Sequence, residues 1–299
     1  MTKRKSMLYA LFAVLLWGSL YPAVKLGYLA YHITTTGDIL LFAGIRFTVC
    51  GALICGYSLV TDRASYRNIR ASIRPVLLSG FFAIILHYGF SYMGLKFTDS
   101  SKTAILKQLG ALCYVCFSFL FFKEDRLTVR KFVAAVMGFL GIIAINANPN
   151  GIQFNIGDAF IIAASFCTVF SNAISKKVLT KVSPVSMTGV SQLFGGAVLL
   201  LIGLALGGRL VFDIRTSCIL LYICLATIFS YCIWFTVLKS GELSNLFIIK
   251  FAEPMFACLF GALVLDENIW KIQYLIAFLL IAGGIILSNR PHKAGRIPS

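Results

Sequence analysis

Apolar residues run in ten long blocks separated by short polar or charged stretches, the pattern of a chain that crosses a bilayer repeatedly. Each block is roughly 17 to 25 residues, enough as a helix to span ~30 Å of hydrocarbon. Their approximate limits are 7–29, 37–60, 75–95, 102–122, 130–147, 157–175, 184–206, 216–238, 244–265 and 271–289.

The blocks are not alike. Val133 to Ile145 in the fifth and Leu275 to Leu287 in the tenth carry no polar side chain, which predicts that both lie at the periphery. Other blocks set polar residues at helical spacing, on one face. These are His87 and Ser91 in the third; Thr103, Lys107, Tyr114 and Ser118 in the fourth; Ser165, Thr168, Asn172 and Ser175 in the sixth; Thr188, Ser191 and Gln192 in the seventh; and Thr227, Ser230, Tyr231 and Trp234 in the eighth. A single stripe serves interhelical hydrogen bonding. Several together predict a polar interior.

A second regularity appears when the chain is shifted by 143 positions against itself. Thirteen identities fall in 52 ungapped positions, among them Lys107/Lys250, Glu124/Glu267, Gly141/Gly284 and Asn146/Asn289. Five crossings separate matched spans four and nine, an odd number, so the two copies point in opposite directions. The expected fold is an all-α integral membrane protein of ten transmembrane helices, arranged as two inverted five-helix repeats, 1–150 and 151–299. Such repeats face each other across a central substrate site.

Composition agrees. A chain that is 59% hydrophobic, 13% charged and of mean hydropathy +0.88 is no ordinary soluble domain. With Lys3, Arg4 and Lys5 placed in the cytoplasm, 18 of the 27 Lys and Arg fall in cytoplasmic segments and 5 in external loops. The formal net charge of +16 therefore follows from the positive-inside rule and implies no nucleic-acid partner. A plasma (inner) membrane location with both termini cytoplasmic is expected. The basic start followed by an apolar run resembles a signal peptide, but the run outlasts a short h-region and has no clear cleavage site, so the first span is expected to be retained. Nine cysteines, almost all within spans, make no extracellular disulfide framework. Cys113 and Cys116 share a face, yet no His or second Cys pair completes a metal set. No metal or cofactor is expected.

The remaining four basic residues, Lys25, Arg46, Lys107 and Lys250, lie inside spans with one acid, Glu253. A charge near mid-bilayer costs roughly 2.5 to 3.5 kcal/mol on insertion scales, so these five require compensation. Lys25, near a span end, can equally snorkel to the interface. Lys250 and Glu253, three apart on one helix, can neutralise each other. Pro22 and Pro254 withhold an amide hydrogen from their helices and can kink them near the charges.

At these residues the chain resembles the drug/metabolite transporter superfamily, most closely its EamA-domain branch. The features are Trp17-Gly18, Arg46-Phe47, Glu124, Glu253-Pro254, Glu267, Gly141 and Gly283-Gly284, spread over about 7–146 and 155–289. The resemblance implies an inverted-repeat carrier in which spans one to four and six to nine surround a cavity, with five and ten outside. It also implies small metabolites as substrates, amino acids among them, in many cases exported. The chain departs from the pattern at Ala111, where proline is common, and in lacking a second Trp-Gly or Arg-Phe. The lysine pair argues against generic drug export.

The expected function is alternating-access secondary transport of a small metabolite, an amino acid or other organic anion or zwitterion. Arg46, Lys107 and Lys250 attract the anionic group, and His87, Tyr114, Asn172, Gln192, Tyr231, Trp234 and Glu253 complete the pocket. A multidrug or cation exporter of the same fold and an intramembrane enzyme are the alternatives. The sequence contains no G-x-x-x-x-G-K-[ST], H-E-x-x-H or G-x-S-x-G motif, so neither a nucleotide-driven pump nor an enzyme is expected. The partners are the solute and the lipid bilayer, and a homodimer through spans five and ten is left open.

Overall fold

The computed structural model describes residues 3–61, 68–110, 129–148, 151–240 and 252–288. This part of the chain is helical except for one antiparallel ladder, Ala147–Asn148 with Gly151–Ile152. In chain order the helices are α1 (Lys3–Ala30), α2 (Thr36–Thr61), α3 (Ile73–Phe97), α4 (Ser100–Lys107), α5 (Val129–Asn146), α6 (Ile156–Val178), α7 (Pro184–Ala205), α8 (Ile214–Ser240), α9 (Ala252–Leu265) and α10 (Ile272–Ser288). By length and composition α1, α2, α3, α6, α7 and α8 can each cross a membrane, and α5, α9 and α10 contain shorter apolar stretches. The middle of α3, Phe81–Leu86, is π-helical. This wider turn shifts the side chains that follow around the helix axis, and His87, Tyr88 and Tyr92 follow it.

Local chemistry fixes the helix starts. Asn155 accepts from the Asp158 amide at 2.9 Å, and Asp158 accepts in return from the Asn155 amide at 3.0 Å, a capping box that opens α6. Buried Asp158 also receives Lys102 Nζ at 2.9 Å, and the same ammonium reaches Asn146 Oδ1 at 2.7 Å. One lysine thereby ties α4, α5 and α6 together. Ser183 caps α7, with Pro184 in the first turn where no amide hydrogen is needed. Asp213 and Thr216 cap α8 reciprocally, at 2.6 and 2.8 Å. Asp38, at the start of α2, accepts from the amides of Thr35 at 2.9 Å and Arg209 at 2.8 Å, which fastens the α7–α8 connection over α2.

The core lies between α1, α2 and α3 and includes Ile39, Phe42, Phe47 and Tyr92, with Leu199 and Ile223 brought in from α7 and α8. Along its back, α2 and α7 run antiparallel on a seam of glycines. A Cβ added to Gly44 would lie 2.3 Å from Leu200 N, to Gly51 2.3 Å from Leu193 N, to Gly196 2.3 Å from Thr48 N and to Gly203 2.4 Å from Leu41 N. Backbone fills the space that side chains would occupy, the close approach that small residues permit between membrane helices. Gly37, Gly44 and Gly51 recur as Gly189, Gly196 and Gly203 at a constant offset.

The apolar helices α5 and α10 pack on each other. Gly141 faces the Ala277 carbonyl and Gly284 faces that of Ala134, where an added Cβ would lie at 3.4 and 3.0 Å. Phe132, Phe139, Leu275 and Leu279 of this pair are exposed, in agreement with a peripheral position.

Candidate functional site

Arg46 projects from the middle of α2 and is 2% exposed. Its Nε and Nη2 donate to Thr227 Oγ1 of α8 at 3.1 and 2.6 Å, and Nη1 donates to the Tyr92 hydroxyl of α3. The guanidinium carbon also lies over the rings of Phe47, Tyr88 and Tyr92, at 4.8, 5.8 and 5.8 Å. Hydroxyl dipoles and ring faces offset part of the desolvation of the cation, the ring term at roughly 1 to 2 kcal/mol. Among the described residues no carboxylate forms an ion pair with it. Arg46 is thus a buried cation held by hydroxyls and ring faces.

Lys107 of α4 stands next to this group. Its ammonium lies 5.2 Å from the Tyr21 ring centre and 5.3 Å from that of Tyr88, so Tyr88 is shared by both cations. The Tyr21 hydroxyl donates to Glu253 Oε1 at 2.6 Å. Tyr88 and Tyr231 meet through their hydroxyls at 3.0 Å, and Trp17 packs edge-on against Tyr231 with ring centres 5.7 Å apart. A continuous chain, Trp17–Tyr231–Tyr88–Lys107–Tyr21–Glu253, thus crosses α1, α3, α4, α8 and α9. Glu253 is 7% exposed, whereas the other five are only partly buried although they face one another.

His87 adjoins this chain with its ring edge-on to Tyr88 at 4.8 Å. Its Nδ1 lies 2.8 Å from the Ala164 carbonyl and 2.9 Å from Thr168 Oγ1 of α6. A carbonyl only accepts, so Nδ1 carries the hydrogen. The His87 ring is thereby oriented by α6.

Of the residues expected from sequence, Arg46, His87, Lys107, Tyr231 and Glu253 come together. Gln192 does not join them. It sits in the α2–α7 seam, 1% exposed, with neither side-chain amide atom bonded among the described residues. Tyr114 and Lys250 lie outside the described residues, as do the side chains of Asn172 and Trp234. The expected Lys250–Glu253 pairing lies outside them too, and what the structure gives Glu253 is Tyr21. Tyr21, Tyr88 and Tyr92 were missed as site residues. Two signals could have found the last two: Tyr88 stands at the repeat interval from Tyr231, and Tyr92 is one helical turn beyond Tyr88.

Among the described residues, Lys25 is the remaining basic residue expected within a span, and it turns toward the end of the bundle. Its Nζ donates to the Thr98 carbonyl at 2.9 Å and lies 3.6 Å from both Asp99 and Glu267. It belongs to a separate cluster.

The model of the EamA-like transporter family matches residues 4–147 and 155–290. An uncharacterized transporter, YvbV, of Bacillus subtilis (strain 168) is 26% identical over 98% of this chain and 94% of its own. Proteins named probable amino-acid metabolite efflux pump, from Salmonella typhimurium (strain LT2) and Escherichia coli (strain K12), are each 25% identical over 94% of this chain and 93% of theirs. A crystal structure 20% identical in sequence superposes with a TM-score of 0.65, covering 96% of this chain and 97% of that one, and supports the fold. The two matched segments account for nearly the whole sequence, and the chain belongs to the EamA-like transporter family, as a multi-pass membrane transporter and not an enzyme.

Proposed function

We propose that the chain is a ten-helix carrier of two inverted repeats, 1–150 and 151–299, that moves a small amino-acid-like metabolite by alternating access. The repeat reading draws on more than the 143-residue shift. Exchanging each helix for its counterpart five places on maps α2–α7, α4–α9 and α5–α10 onto themselves, α1–α8 onto α3–α6, α1–α9 onto α4–α6, and α2–α8 onto α3–α7, and all of these helices pack in contact. Gly141 on Ala277 and Gly284 on Ala134 are one contact made twice. The positive-inside rule then sets both termini in the cytoplasm and the Lys25 end of the bundle outside.

The substrate class is read from the charged groups described at the centre. Arg46 is buried without an ion-pair partner among the described residues, Lys107 stands on two ring faces, and Glu253 lies at the far end of the same chain of residues. A solute with a carboxylate for the cations and an ammonium for Glu253 complements that layout. The names of the 25% identical efflux pumps agree with it. The single observation that carries the reading is the placement of two cations and one carboxylate along one aromatic cluster at the centre of the bundle.

The test is uptake of labelled amino acids and organic acids into sealed proteoliposomes, beside thermal-stability screening of the purified protein. Lys107→Ala combined with Lys250→Ala abolishes uptake of the anionic or zwitterionic solute while the melting transition persists. Unchanged uptake, or stabilisation by organic cations alone, overturns the substrate class.

A further inference from the structure

Resting on the alternating-access reading, we infer that Lys25, Asp99 and Glu267 form a latch that holds the outer end of the carrier closed and opens once per transport cycle. Glu267, just beyond α9, places its carboxylate on the start of α4: Oε1 accepts from the Ser100 amide at 2.7 Å, and Oε2 accepts from the Ser101 amide at 3.0 Å and the Ser101 hydroxyl at 2.7 Å. The first amides of a helix have no partner of their own and carry positive partial charge. Here they are satisfied by a carboxylate supplied from the other half of the chain.

Lys25 then bridges. From the last turns of α1 it donates to Thr98 O and sits 3.6 Å from Asp99 Oδ1 and 3.6 Å from Glu267 Oε1. Asp99 also accepts from the Tyr274 hydroxyl of α10 at 3.2 Å. One ammonium and two carboxylates therefore close α1, α4, α9 and α10 over the chamber. Gly261 leaves the room this requires, because a Cβ there would stand 2.7 Å from both Glu267 Oε2 and Ser101 Oγ.

Two features mark the cluster as a gate rather than a permanent brace. It joins the helices that carry the candidate site, since α1 bears Tyr21, α4 bears Lys107 and α9 bears Glu253. Its bonds are polar and two of its three charged side chains reach the surface, Lys25 at 24% and Asp99 at 45% exposed, while that of Glu267 is 7% exposed. Water can replace each partner as the helices part. The contacts that line the α2–α7 seam offer no such substitute.

The test uses a cysteine-free, transport-competent version of the full chain in right-side-out vesicles, probed with a membrane-impermeant maleimide. Thr103→Cys reports the gate, because Thr103 is fully buried one turn beyond Ser100 on α4. Trp270→Cys reports sidedness, because Trp270 is 93% exposed between α9 and α10. Lys25→Met or Glu267→Gln should raise external labelling of Thr103→Cys by about tenfold, the shift expected when a bias of about 1.4 kcal/mol toward the closed state is lost. Lys25→Arg should leave it at the parent level. Labelling of Thr103→Cys that is the same in Lys25→Met, Glu267→Gln and parent, from both sides, overturns the latch. Trp270→Cys labelled only from within overturns the membrane orientation instead, and the Thr103→Cys comparison made from that side then decides the latch.

Discussion

Tyr88 of α3 and Tyr231 of α8 stand 143 positions apart, the interval that relates the two copies in the sequence, and their hydroxyls meet at 3.0 Å. Two equivalent residues touch in this way only where the pseudo-twofold axis passes between them. On the proposed inverted-repeat reading, the axis runs through the middle of the aromatic chain, beside Arg46 and Lys107, where such a carrier holds its solute.

Because each tyrosine hydroxyl is a partner of the other, removing either loses the same bond. Tyr88→Phe and Tyr231→Phe should each cost about 1 kcal/mol, and the double variant less than the two combined, with a coupling near 0.5 to 1.5 kcal/mol. A double-mutant cycle on thermal or denaturant unfolding in detergent measures this. Strict additivity would separate the two hydroxyls.

Arg46 uses three nitrogens on two hydroxyls of different helices, a forked geometry that an ammonium does not reproduce. Arg46→Lys should keep the charge yet lower transport by tenfold or more, and destabilise by about 1 to 3 kcal/mol. Proteoliposome uptake and melting temperature, taken together, check both parts.

At Gly196 an alanine Cβ would meet Thr48 N at 2.3 Å, whereas at Gly56 it would meet nothing within 4 Å. Gly196→Ala should destabilise by about 1 to 3 kcal/mol through overpacking against backbone. Gly56→Ala should be neutral or slightly stabilising, since alanine is the better helix former. Side-by-side melting curves decide.

Outside the spans, Asp213 is held below the ordinary aspartate value of 3.8, chiefly by the Thr216 backbone amide and then by the Thr216 hydroxyl. A depressed carboxylate stabilises fully above its unfolded value and loses that contribution as pH falls through the folded one. Melting temperature measured downward from pH 5 should therefore fall more in the parent than in Asp213→Asn, which caps α8 without ionising. Parallel pH curves would remove Asp213 from the acid response.

The sequence made much of this legible, for definable reasons. Helices of a membrane protein must satisfy their own backbone, so apolar length alone located the six helices that, among the described residues, are long enough to cross a membrane, and the absence of polar side chains pointed to the exposed α5–α10 pair. Arg46, His87, Lys107 and Glu253 stood out because a polar group at that depth needs a reason to be there. The tyrosines were hidden by the same logic: Tyr21, Tyr88 and Tyr92 are amphipathic and cost little in lipid, so nothing in their type flagged them. Gln192 is the opposite case. A polar residue on a stripe was read as facing the chamber, while the glycines that pull α2 onto α7 carry it into the seam. The Lys25 cluster was unreadable because its three charges come from α1, the start of α4 and the end of α9, which only tertiary packing brings together.

The glycine seam has one more implication. The contact of Gly44 with Leu200 is the mirror of that of Gly196 with Thr48, and the contact of Gly51 with Leu193 is the mirror of that of Gly203 with Leu41. A molecule that inverts itself by letting each half adopt the other's shape leaves such a surface unaltered. On the proposed alternating-access reading, the seam serves as an axle whose energy is level across the whole stroke, so that dense backbone contact is compatible with turnover.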